Sequence, residues 1–299
     1  MMASRLAAHL QGEQRFNVPL EGLNSWRVGG VAERLYCPAD VANLGRFLRG
    51  LPVDEPITWL GLGTNLLARD GGVRGTVIVT HAALDKIAYL GTNRVRAEAG
   101  VPCAKLARYC ADRALTGTEF MVGIPGTLGG ALAMNAGASG GQTWDIVAAV
   151  ETIDRRGRIH RRMPADLTVA YREAHPPSEE WFVAAELDLK PGDKGASLDE
   201  IRTLLAQRQA TQPLGVASCG SVFRNPPRDF AGRLIDTAGL KGHRIGGACV
   251  SDKHANFILN TGKATAGDIE ALIEFVLQRV QAVHGVRLAP EVRIVGERA

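Results

Sequence analysis

Along the chain, short apolar runs are divided by glycine-rich turns, and longer helical stripes follow toward the C-terminus. ITWLG (57–61) and TVIVT (76–80) read as buried strands. RVRAEAG (94–100) alternates apolar and polar positions, as a half-buried strand does. PCAKLARYCADRAL (102–115) predicts a helix, with Pro102 in its first turn and Leu106, Cys110 and Ala114 on one face. VAAVETI (147–153), the turn RRGR and then IHRR predict a hairpin, and FVAAELDL (182–189) a further strand. Ser197 and Glu200 make a capping box ahead of IRTLLAQRQ, and KPGDKGAS just before it reads as a boundary. A last helix runs from about Ala266 to His284, capped by Thr265 and stopped by Gly285. Its apolar stripe is Ile269, Leu272, Ile273, Val276, Leu277, Val280 and Val283. VRLAPEVRIVG then reads as a strand interrupted by Pro290.

This mixture is α+β rather than a strict βαβ alternation. It divides into a first lobe (1–80), a second lobe (81–210) and a C-terminal domain (211–299). With 299 residues, more than one core is expected. A hydrophobic share of 45% against 22% charged residues fits a folded soluble chain, and a net charge of +4 gives little support to nucleic-acid binding. Five cysteines form no C-x-x-C pair, which argues against a disulfide framework and fits a reducing cytoplasm. The start MMASRLAAHLQGEQR lacks the apolar core of a signal peptide, and no apolar run is long enough to span a membrane. The seven histidines show no metal-ligand spacing, so no metal is expected.

Two glycine loops carry the first chemical signal. GLGTNLL (61–67) follows a strand, but Leu66 stands where a dinucleotide fingerprint needs its third glycine, and ARDGG follows where a helix should open. Alone, this loop reads as a bare turn. GIPGTLGGALAMNAGA (123–138) has five glycines and no charge. Such a run is either a nest of N–H groups that holds a phosphate anion or a seam where helices pack closely.

Read in order, the motifs narrow the choice: RVGGVAERLYCPAD, GLGTNLLARDGGVRGTVI, AGVPCAKLARYCADRALTGTEFMVGIPGTLGGALAMNAGA, AYRE, GSVFRNP, AGRLIDTAGLKGHRIGGACVSDKHANFILN and LAPEVRIVG. From about residue 20 to residue 296 the chain resembles the UDP-N-acetylenolpyruvoylglucosamine reductases (UDP-N-acetylmuramate dehydrogenases), in the subclass with a short loop after Tyr171. The resemblance implies a two-lobed FAD-binding region of the vanillyl-alcohol oxidase and p-cresol methylhydroxylase type, and a separate C-terminal substrate domain. It implies non-covalent FAD, NADPH as hydride donor, and a sugar nucleotide reduced for peptidoglycan synthesis. FAD would rest on Gly61, Gly63, Thr64, Asn65 and Leu66 of the first loop. From the second it would meet Gly123, Ile124, Pro125, Gly126, Thr127, Gly129, Gly130, Asn135, Ala136 and Gly137.

Reduction of an enolpyruvyl ether needs a hydride, a proton, and stabilisation of enolate-like charge. The match of GSVFRNP to the family pattern makes Ser221 the expected proton donor; by itself it is a serine in a turn before a strand. Arg172 in AYRE can pair bidentately with a carboxylate, or be an ordinary surface arginine. Glu291 in APEV is an edge residue or a functional carboxylate, and the resemblance implies the latter. Tyr171, Arg208, Asn225, Lys253, His254 and Asn256 are expected to line the substrate or flavin pocket, Lys253 against phosphate. Cys219 reads as a buried thiol. Two departures from the family pattern stand out: Glu173 after the YR pair where serine is usual, and Arg224 where lysine is common.

Two other classes fit parts of this pattern. An FAD oxidase would share the cofactor fold but hand electrons to oxygen. A non-catalytic nucleotide-binding protein would use the glycine loops and leave Arg172, Ser221 and Glu291 unexplained.

Overall fold

The expected strands at 57–61 and 76–80 form, and two further strands that the sequence reading did not identify, Glu13–Pro19 and Val31–Cys37, join them in the first sheet. In the computed structural model, which describes residues 12–177 and 179–299, its order is Glu13–Pro19, Val31–Cys37, Val73–Val79, Ile57–Leu60. The first pair is antiparallel and the other two are parallel, so the chain must cross over between them. One crossover is helix α1 (Val41–Arg49), whose Asp40 side chain accepts from the Asn43 amide. Its buried Leu44 and Leu48 pack against Tyr36, Ile78, Leu84, Ile153 and Val183, which joins the first sheet to the second.

The second sheet is antiparallel throughout: Ile159–Arg162, Val147–Asp154, Glu180–Asp188, Arg94–Glu98, Ile87–Gly91. Helices α2 (Cys103–Ala111), α3 (Leu128–Ala133) and α4 (Lys194–Thr211) accompany it, with Leu106, Leu128, Leu132 and Ile201 in its core. Three expectations change here. Pro102 is the N-cap of α2 rather than a residue of its first turn, and Ala114 lies beyond its end. Helix α4 starts at Lys194, capped by Asp193, so Ser197 caps nothing. The Ser197 hydroxyl is buried and donates to Glu119 at 2.5 Å, a tertiary partner that outcompetes the local cap.

The third body is a four-stranded antiparallel sheet, Ala217–Ser218, Ile258–Asn260, Ala248–Val250, Arg244–Ile245, with helices α5 (Ala231–Thr237) and α6 (Ala266–His284). The capping box at Thr265 uses Asp268, and Gly285 ends α6 in the left-handed conformation at φ 68. Val283 is exposed rather than part of the buried stripe. VRLAPEVRIVG yields only the strand Arg293–Val295, which runs parallel to Leu66–Ala68 of the first lobe. Glu291 lies before that strand, not within one.

First-lobe residues are deeply engaged with this third body. Trp26 is fully buried in its core, and its indole N–H donates to the Ile258 carbonyl at 2.8 Å. The Asp70 carboxylate accepts from the Ala266 and Gly267 amides at 3.0 and 2.9 Å. An anion at a helix N-terminus satisfies amides that have no partner inside the helix. The ARDGG segment, unreadable as a helix start, therefore adds a second cap, beside Thr265, to a helix about 200 residues further on.

Candidate functional site

The two glycine loops face each other. A side chain at Gly61 would place its Cβ 2.5 Å from the Thr127 hydroxyl, and one at Gly126 would come 3.4 Å from the Thr64 hydroxyl. Thr127 is buried, so it cannot swing away. Among the described residues the backbone N–H groups of Leu62, Gly63, Thr64 and Asn65 donate to no protein acceptor, nor do those of Gly126, Thr127 and Gly130. Unpaired donors on two facing, uncharged loops form a cradle for an anion. The residues present therefore fit a pyrophosphate-bearing cofactor, with Ile124, Pro125 and Gly129 shaping the second loop. The amides of Ile124 and Gly129 are already bonded, to Met121 and Ala99 carbonyls, so these residues shape the cradle rather than donate.

Asn65 does more than line the cradle. Its side-chain amide donates to the Glu291 carbonyl at 3.1 Å, and its own carbonyl accepts from the Arg293 amide. Asn135, at φ 38, is buried and holds the end of the second loop. Its side chain donates to Gln142 and the Ala170 carbonyl and accepts from the Trp144 amide. Gly123 lies against Ala138, and Gly137 against Gly141, within the same turn region. The Ala136 carbonyl is taken by Thr143.

Ser221, Arg172 and Glu291 come from three distant parts of the chain, and backbone bonds bring two of those parts side by side. The Glu291 amide donates to the Val222 carbonyl at 2.7 Å, and Phe223 bridges Pro290. Arg172 Nε stands 3.3 Å from Glu291 Oε1. This is an ion pair without hydrogen-bond alignment, and the Nη groups make only long contacts, 3.5 and 3.4 Å, to the Asn135 and Gly137 carbonyls. The guanidinium fork is thus loosely held and can engage an incoming carboxylate. Burial pushes the Glu291 carboxyl up from its ordinary value, while Arg172 and Arg224 pull against that rise. Burial drives the Cys219 thiol well above its ordinary value, and the nearby Glu291 adds to the effect.

Beside Ser221 opens a cavity of ≈ 480 Å³, lined by Asn225, Lys253, His254 and Asn256 together with Arg233 and Lys241. Asn256 is committed to the frame: its side chain accepts from the Phe223 amide and donates to the Phe223 carbonyl. Asn225 accepts from the Ala231 amide, so it caps α5 from a distance. Lys253 Nζ rests on the Gln209 carbonyl at 2.6 Å, which brings the end of α4 to the rim. Arg208 on that helix donates to Gln212 at 3.0 Å and, at 3.5 Å, to the Val122 carbonyl of the second lobe. Tyr171 is half exposed, with the Arg172 guanidinium 5.1 Å from its ring centre. Sequence reasoning passed over Arg233, Lys241 and Phe230, which also line the cavity. Phe230 carried a signal: it occupies the N-cap of α5, where a short polar residue is preferred, yet it is 66% exposed. Among the described residues no group of three His, Cys, Asp or Glu could hold a metal ion.

Comparison with known proteins matches both halves of this picture. Residues 33–162 match the model of an FAD binding domain, and residues 212–295 match that of the C-terminal domain of UDP-N-acetylenolpyruvoylglucosamine reductase. The chain is 60% identical to the UDP-N-acetylenolpyruvoylglucosamine reductase of Alkalilimnicola ehrlichii over 286 residues, 96% of each chain. It is 58% identical to that of Methylococcus capsulatus over 295 residues, 99% of this chain and 97% of the relative. The crystal structure of the Thermus caldophilus enzyme superposes with a TM-score of 0.80 at 33% identity, covering 95% of this chain and 98% of that one.

Proposed function

We propose residue roles from one premise: the chain belongs to the UDP-N-acetylenolpyruvoylglucosamine reductase family. It is an FAD-containing, NADPH-dependent oxidoreductase that converts UDP-N-acetylglucosamine enolpyruvate to UDP-N-acetylmuramate for peptidoglycan synthesis. FAD, which the amides of Gly63, Thr64, Asn65, Gly126 and Thr127 would hold, would supply the two-electron hydride chemistry between NADPH and the enolpyruvyl double bond.

The residue roles rest on one observation: Arg172 meets Glu291 beside the Ser221 segment. Negative charge spreads from the carbon next to the ether oxygen into the substrate carboxylate. Arg172 pairs with that carboxylate and stabilises the charge. The Ser221 hydroxyl gives a proton to the carbon, and the buried Glu291 supports that transfer. The glycine loops hold FAD through unpaired amides, non-covalently. Lys253, His254, Asn225, Tyr171 and Arg208 hold or border the sugar nucleotide, with Asn256 fixing the wall behind. Residues 1–80 and 81–210 form the cofactor lobes and 211–299 the substrate domain. No described helix is long and apolar enough to cross a membrane, and we place the enzyme in the cytoplasm with its nucleotide substrates.

A spectrum tests the reading. The purified protein should be yellow, bleach with NADPH and recolour with the enolpyruvyl sugar nucleotide. Rapid recolouring by air alone, without effect of the sugar nucleotide, would instead identify an oxidase.

A further inference from the structure

Arg172 sits on the tight turn between the strands Thr168–Ala170 and Glu173–His175. Its backbone is left-handed, φ 62, a conformation unfavourable for a side chain with a Cβ that persists only where the surroundings impose it. The hairpin consists of two strands of three residues each, and Thr168, Val169, Ala170 and Tyr171 are all exposed. It needs an outside partner.

Asn135 holds one side through the Ala170 carbonyl, and the partner at the turn itself is Arg224, three residues beyond Ser221. Its Nη2 donates to the Arg172 carbonyl at 3.3 Å, and its Nη1 lies 3.6 Å from the Glu173 carboxylate. The Arg172 side chain crosses the same junction the other way, to Glu291. Arg224 and Glu173, far apart along the chain, thus meet each other. As an exposed ion pair the contact would contribute little, because the Glu173 side chain is 42% exposed. Its effect lies in geometry. The guanidinium fork grips a carboxylate and a backbone carbonyl at once, which a lysine ammonium does with less directional control.

We propose that Arg224 and Glu173 are positioning residues: Glu173 aims Arg224, and Arg224 clamps the strained turn so that the Arg172 guanidinium stands beside Glu291. The proposal rests on the reading of Arg172 as the partner of the substrate carboxylate.

The test compares Glu173→Gln, Arg224→Gln and Arg224→Lys holoenzymes, each alone and with Arg172→Lys. Stopped-flow follows flavin reduction by NADPH and reoxidation by the enolpyruvyl sugar nucleotide, and hydrogen exchange follows the amides of residues 168–175. Glu173→Gln and Arg224→Gln should slow reoxidation at least about tenfold more than reduction, within the roughly 10²-fold that a 1 Å misplacement can cost. Arg224→Lys should fall between them and the parent, and hairpin exchange should rise in all three. With Arg172→Lys already present, none should slow reoxidation further. Should Arg224→Gln fail to fold, Glu173→Gln and Arg224→Lys make the same comparison. Losses that add fully to that of Arg172→Lys, equal slowing of both half-reactions, or unchanged hairpin exchange would overturn the proposal. If the parent holoenzyme is not reoxidised by the sugar nucleotide, the functional reading falls, and hydrogen exchange still decides whether Arg224 clamps the turn.

Discussion

Arg69 of the first lobe and Glu270 of helix α6 are joined by two parallel hydrogen bonds, Nε to Oε2 at 2.9 Å and Nη2 to Oε1 at 2.7 Å. The carboxylate side chain is only 9% exposed, and Arg298 adds a further bond from its open side. Together with Asp70 at the N-terminus of the same helix, this pair ties the third body to the first.

The Arg69 hydrogen bonds hold the Glu270 carboxyl down at about 2, against the opposing effect of burial. A depressed folded value means stability that is complete above the ordinary 4.5 and is lost as pH falls through the folded value. Glu270→Gln should therefore destabilise the protein by about 2 kcal/mol at pH 7 and flatten the loss of stability between pH 5 and 2. Urea unfolding at several pH values checks both. An unchanged acid limb in the variant would assign acid sensitivity to other carboxylates.

Ser221→Ala should separate the half-reactions. Bleaching by NADPH needs no proton from the serine and should stay near the parent rate. Reoxidation by substrate should fall by about 10²–10⁴-fold, roughly 3–5 kcal/mol, with partial recovery in Ser221→Cys. Stopped-flow at the flavin band measures each step. Equal slowing of both would make Ser221 a cofactor-positioning residue.

Glu291→Gln should strike the same half-reaction and also alter stability. The folded carboxyl keeps its proton to higher pH than the unfolded one, so its burial costs stability as pH rises from 4.5 through the raised value. The variant has no carboxylate to bury. Its stability relative to the parent should therefore improve between pH 4 and pH 8 in thermal melts, even as reoxidation is lost.

The two loops predict opposite behaviour for two alanine variants. Gly61→Ala pushes a methyl into the buried Thr127 hydroxyl and should lower both stability and FAD affinity. Gly130→Ala meets no protein atom within 4 Å and sits in helix α3, where alanine is favoured by up to about 1 kcal/mol. It should leave the melting temperature of the apoprotein unchanged or higher while weakening FAD, because the methyl enters the open face of the cradle. Equilibrium titration of apoprotein with FAD distinguishes them.

Heat or acid should release the flavin from the precipitated chain. The thiol that could have tethered it, Cys219, is 4% exposed and protonated far beyond neutral pH. Colour retained by the pellet would contradict this.

Local signals carried most of the fold. The capping box at Thr265 and the glycine at 285 define α6 from sequence, because caps are satisfied by neighbours. Ser197 shows the limit: the same type of signal was overridden by Glu119, 78 residues away. Likewise Glu291 read as a strand residue, but its amide bonds to Val222 and its carbonyl to Asn65, partners that no window of sequence contains. The ordered motifs pointed to Arg172, Ser221 and Glu291. That Asn135 and Asn256 brace backbone depends on partners more than thirty residues away, and that Arg224 meets Glu173 depends on a contact between bodies.

The parallel pairing of Leu66–Ala68 with Arg293–Val295 has a consequence for biosynthesis. The first glycine loop is translated early, yet Asn65 finds its partner at Glu291, 226 residues later, and another at Arg293. This wall of the cradle is therefore completed only once synthesis has passed residue 293 and that segment has folded back onto the loop. A chain stopped before residue 291 would carry every glycine of the two loops and no finished place to put a flavin.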